Sequence, residues 1–123
     1  MSTDRLIEMF EQQEAFMKLL QKHRGFPEFP MDLSKKASQK EIKKISFDAM
    51  GELFEAVQHL KNSKDHRATD VPELDREAYV EELVDCLHYF VEIAILSGIS
   101  SEELFSAYIQ KGDVNVNRIK NGY

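Results

Sequence analysis

An all-α fold, a four-helix bundle completed by oligomerisation, is predicted from three observations. Apolar residues recur at three- and four-residue spacings along most of the chain, capping residues stand where those runs begin, and no stretch alternates apolar and polar residues long enough to make a strand. With 123 residues, 42% hydrophobic and 31% charged, the chain has apolar material for one core, and a single domain over residues 1–123 is expected. Chains this short bury a modest fraction of their surface, so a second copy is expected to complete the core, in a homodimer or homotetramer.

The first helix is read from Leu6, Met9, Phe10, Phe16, Met17 and Leu20, with a start at Ser2, Thr3 or Asp4 and an end near Gly25. The segment Gly25-Phe26-Pro27-Glu28-Phe29-Pro30 cannot continue it. Ser38 followed by Glu41 has capping-box spacing, and Ile42, Ile45, Ala49, Leu53, Val57 and Leu60 mark a second helix to about Asn62. Residues 63–74 read as loop. Asp75 caps a third helix from about Arg76 to Ser97, stopped by Gly98. Its body of Leu83, Val84, Leu87, Phe90, Val91, Ile93, Ala94, Ile95 and Leu96 is apolar nearly all round, which predicts a central position. Ser100 and Glu103 repeat the capping spacing and open a fourth helix through Leu104, Phe105, Tyr108 and Ile109. Gly112 weakens that helix by roughly 1 kcal/mol relative to alanine, so residues 111–123 read as a polar tail.

Composition narrows the function classes. A formal charge of -6 argues against a nucleic-acid scaffold, because binding the phosphate backbone draws on clustered positive charge. An acidic protein can still bind a polyphosphate when divalent cations lie between the like charges. The lone cysteine, Cys86, excludes a disulfide framework and a cysteine-rich zinc site and fits a reducing, cytoplasmic setting. Charged Glu8 and Glu11 close to the amino terminus leave no apolar leader, and no membrane partner is expected.

The chemistry lies in two carboxylate pairs. Glu52 and Glu55 are three residues apart on the second helix and share an arc with Asp48 and His59; Glu82 and Asp85 repeat the spacing on the third, with Tyr89 and Glu92 close beside them. Charged stripes are commonly solvated helix faces. Asp85, however, sits inside Leu83-Val84-Asp85-Cys86-Leu87, where a carboxylate is costly unless paired or bound to a cation. If the two helices pack antiparallel, four carboxylates converge on one cleft, and an all-oxygen set selects magnesium or manganese over zinc.

Glu52-x-x-Glu55, a gap of about thirty residues and then Glu82-x-x-Asp85 resembles the all-alpha nucleoside triphosphate pyrophosphatase superfamily, which includes the MazG-like enzymes and the dimeric dUTPases. Lys111-x-x-x-Asn115-x-x-Arg118-x-x-x-x-Tyr123 looks like the carboxy-terminal phosphate-binding motif of the dimeric dUTPases. The resemblance covers the chain from about Phe10 to Tyr123. It implies magnesium-dependent hydrolysis of a (deoxy)nucleoside triphosphate to the monophosphate and pyrophosphate, with dUTP the leading substrate. Glu55, Glu82 and Asp85 become metal ligands, Glu52 a ligand that also orients or deprotonates the attacking water, and Lys111, Asn115, Arg118 and Tyr123 a phosphate clamp in the tail. Gln13 aligns with a base-contacting glutamine. Where the dimeric dUTPases carry a tryptophan, this chain reads Gln58-His59-Leu60-Lys61-Asn62-Ser63, which keeps purine deoxynucleotides such as dGTP or dATP open as substrates of a MazG-like enzyme. The alternative of another class is a non-catalytic helical interaction module with solvated acids.

Overall fold

The carboxylate of Asp4 accepts from the backbone N–H groups of Leu6 at 2.9 Å and Ile7 at 3.2 Å, filling two of the donors that a helix start leaves open. The computed structural model describes residues 4–122; Ser2 and Thr3, the other expected positions for this start, lie outside the described residues, as does Tyr123. Four helices follow in order: α1, Arg5–Arg24; α2, Lys36–Val57; α3, Arg76–Leu96; and α4, Ser101–Lys120. The described residues contain no strand, so the fold is all-α. Gly25 ends α1 at φ 66°, a left-handed conformation that suits glycine, with its N–H bonded to the Leu20 carbonyl. Asp75 Oδ1 accepts from the Ala78 N–H at 3.1 Å, and Ser100 Oγ accepts from the Glu103 N–H at 3.1 Å, so the third and fourth starts stand where they were expected.

Three boundaries differ from expectation, one of them the end of α2, which stops at Val57 rather than near Asn62. α2 begins at Lys36, and Ser38 is a buried residue inside it rather than its cap; Lys36 and Ala37 are good helix formers, and nothing stops the helix extending back past the serine. α4 runs on through Gly112 to Lys120, so residues 111–120 are helix, not tail. The penalty for one interior glycine is small, and an eight-residue continuation with hydrogen bonds at every turn outweighs it.

The chain divides into two compact units, Met1–Asp32 with Ala94–Tyr123, and Leu33–Ile93. In the first, α1 packs with α4, and Phe10, Gln13 and Met17 form the buried stripe of α1 at three- and four-residue steps. The Met31 N–H donates to the Leu96 carbonyl at 2.7 Å, fastening the segment after α1 to the last turn of α3, where Ala94, Ile95 and Leu96 are buried. In the second unit the buried side chains are Ser38, Ile45 and Ala56 from α2 and Val91 and Glu92 from α3. The connection between α2 and α3 is closed by Asn62, in the left-handed region at φ 63°, whose Nδ2 donates to the Thr69 carbonyl at 2.6 Å, the Thr69 hydroxyl at 2.9 Å and the Asp70 carbonyl at 2.9 Å.

The apolar body of α3 was expected to be central, and only its carboxy-terminal end is buried. Leu83, Val84, Leu87 and Phe90 are exposed, as are Phe47, Met50, Leu53 and Phe54 of α2. The faces that α2 and α3 turn toward each other carry acids, and these apolar side chains beside that seam keep 38–66% of their surface exposed. No single helix among the described residues is long and apolar enough to cross a membrane.

Candidate metal centre

The register of the α2–α3 hairpin is antiparallel, and it sets acid against acid. His59 meets Tyr79 ring to ring; Glu55 meets Glu82; the fields of Glu82 and Asp85 act on Glu52, and that of Asp48 on Tyr89 and Glu92. As the number rises along α2 it falls along α3. Three- and four-residue steps keep each set on one helix face, so the seam follows from helical periodicity once the hairpin closes.

At the middle of the seam Glu52, Glu82 and Asp85 each place one carboxylate oxygen within 4.8 Å of the others, and all three are partly buried. Glu55, more exposed, hydrogen-bonds through its side chain to both Glu52 and Glu82. Burial, followed by the hydrogen bond to Glu55 and then the neighbouring carboxylates, raises the pKa of Glu52 above the ordinary 4.5. The same causes raise that of Glu82, with His59 pulling the other way. Glu82 Oε2 is buried and has no hydrogen-bond partner. Like charges gathered at this spacing, with one oxygen left unsatisfied, make a site that gains from a cation.

The donor set fits a hard divalent ion: it is all oxygen and drawn from two helices. Of the four residues expected as ligands, Glu52, Glu82 and Asp85 form this group, and Glu55 stands beside it as their hydrogen-bond partner.

About two turns along α3 from Asp85 the seam changes character. Glu92 is 6% exposed, and burial, then Asp48 and Glu41, raise its pKa. Tyr89, between the two regions, is raised by burial and by Asp48, Glu52, Glu92 and Asp85. At the other end a cleft of about 460 Å³ opens, lined by Glu55, Gln58, His59, Lys61 and Glu82. Sequence reasoning placed His59 on the acidic arc of α2 but gave it no role, and gave Gln58 none, while Lys61, with Lys64 and Arg67, was weighed as a phosphate contact and read as exposed loop charge; the signal for His59 was its i, i+4 relation to Glu55.

The remaining expected site residues belong to the first unit. Gln13 is buried in α1 between Phe10 and Met17. Lys111, Asn115 and Arg118 are exposed at i, i+4 and i+7 along one face of α4.

No protein family, curated protein or solved structure matches the chain.

Proposed function

We propose that this chain is a magnesium-dependent nucleoside triphosphate pyrophosphohydrolase of the MazG-like and dUTPase-like kind, with dUTP the first substrate to test and dGTP and dATP the next. The observation that carries this reading is the convergence of Glu52, Glu82 and Asp85, from two acidic pairs on successive helices, on one set of oxygens. Glu52, Glu55, Glu82 and Asp85 would hold magnesium, or manganese in its place, which when bound polarises the α-phosphorus and acidifies water. In this reading Glu52 also orients the attacking water or takes its proton, a role suggested by the resemblance and by its position in the acid cluster. Lys111 and Arg118 supply positive charge for the phosphates and Asn115 a neutral donor, from a helix face rather than a mobile tail. Incubating purified protein with magnesium and each common ribo- and deoxyribonucleoside triphosphate, while following monophosphate and pyrophosphate, tests the reading. Equimolar release of the two from one substrate is expected, and no turnover of any substrate would overturn it.

The same reading includes self-association. Phe47, Met50, Leu53 and Phe54 on α2 and Leu83, Val84, Leu87 and Phe90 on α3 are exposed, far more clustered apolar surface than isolated surface residues account for. A second copy presenting the same residues buries them in a two-fold arrangement, giving a homodimer or a homotetramer. Sedimentation at micromolar concentration should find no monomer; finding only monomer would overturn this part.

A further inference from the structure

The cleft beside the acid cluster is built from two unlike walls. Glu55 and Glu82 form one and belong to the cluster; Gln58, His59 and Lys61 form the other, where the chain leaves α2. The His59 ring is held edge-on against Tyr79 of α3, with centroids 6.4 Å apart and planes at 66°. It lies close enough to Glu82 to attract its carboxylate. All five lining residues are polar, and the only ring among them, His59, is held edge-on against Tyr79. The second wall instead presents an ammonium, an amide and an imidazole, a set of N–H donors suited to phosphate oxygens. Its volume falls within the roughly 300–1,000 Å³ of small-molecule sites.

An anion alone would be repelled by the first wall. A cation on the cluster reverses that, leaving the anion between the cation and the donors of the second wall. We infer that the cleft holds the pyrophosphate end of the substrate, with Lys61 and His59 donating to non-bridging oxygens of the β- and γ-phosphates and Gln58 contributing a neutral donor. This assignment rests on the pyrophosphohydrolase reading and deepens it, since it names the residues that hold the leaving group.

Calorimetric titration separates the two. Magnesium is first titrated into the wild-type protein and into the Lys61→Gln, Gln58→Ala and His59→Asn variants; inorganic pyrophosphate is then titrated into each with magnesium present. The expected result is equal magnesium affinity throughout and pyrophosphate affinity lowered at least about tenfold in Lys61→Gln, with a smaller loss in Gln58→Ala. Lys61 and Gln58 are exposed, so their variants fold whatever becomes of His59→Asn, which loses the ring contact with Tyr79. Magnesium binding with pyrophosphate affinity unchanged in Lys61→Gln and Gln58→Ala would overturn the cleft assignment and leave the metal reading standing. A wild-type protein that binds no magnesium would overturn both.

Discussion

The two ends of the acidic seam carry the same chemical groups and come to opposite results. Around Glu52, Glu55, Glu82 and Asp85 the carboxylates are partly exposed and converge from both helices, and Glu55 and Glu82 also line an open cleft. Around Glu92 the acid is 6% exposed, and the fields of Asp48 and Glu41 act on it without a third oxygen joining them closely enough to hold an ion among the described residues. The difference teaches that acidity alone does not make a metal centre. Convergence and access decide whether repulsion is relieved by a cation or by a proton.

Four measurements break or sharpen that contrast. The largest effect is expected at the open end: Asp85→Asn and Glu55→Gln should each lower kcat/KM by at least about a hundredfold, because each replaces a charged carboxylate proposed to hold the metal with a neutral amide. Retained turnover would sink the metal assignment. Next, magnesium at about a hundred times its Kd should stabilise the wild-type protein by about 2.7 kcal/mol, and Asp85→Asn by far less, as read from thermal unfolding with and without chelator. Third, Lys111→Ala and Arg118→Ala should each reduce catalytic efficiency by about tenfold while leaving magnesium affinity unchanged, since their charge-assisted bonds go to phosphate. Wild-type kinetics in both would overturn the phosphate-clamp role proposed for these residues.

The smallest effect is a slope, and it belongs to the buried end. Glu92 has a folded pKa above the ordinary 4.5, so between those two values the folded protein keeps a proton that the unfolded chain releases. Stability of the metal-free protein should therefore rise as pH falls from neutral toward 4.5, and Glu92→Gln should be more stable than wild type at neutral pH with a flatter profile. Glu52 and Glu82 add to the slope in the same direction when no metal is present, and magnesium should cancel their share but not that of Glu92. A Glu92→Gln profile identical to wild type would show that burial at this end has no energetic consequence.

What could be read in advance divides along the range of the forces involved. Asp4, Asp75 and Ser100 as caps and Gly25 and Gly98 as stops were legible because capping is local chemistry, settled within four residues. The acidic pairs were legible because helical periodicity alone puts Glu52 with Glu55 and Glu82 with Asp85 on one face. The pairing across the hairpin could only be conditional, since it depends on how the segment between α2 and α3 closes, and the bonds of Asn62 that close it leave no periodic trace. The exposure of Leu83 and Leu87 was hidden for the opposite reason: an apolar helix signals burial, but not whether its own chain or another does the burying. α4 was underestimated because one glycine was weighed without the turns on either side of it.

Asn62 makes the loop chemically perishable. A single amide nitrogen, with two hydrogens, faces three oxygens from Thr69 and Asp70. Exchange of that NH₂ for an oxygen, by mutation to aspartate or by slow hydrolysis in ageing protein, changes the mass by about one dalton and turns attraction into repulsion at the two carbonyls, while the Thr69 hydroxyl can turn to donate. The lesion lies one residue beyond Lys61 and three beyond His59, both of which line the cleft. Old preparations would then lose order at the cleft before they lose helix content, and a +1 Da peptide containing residue 62 would be its record.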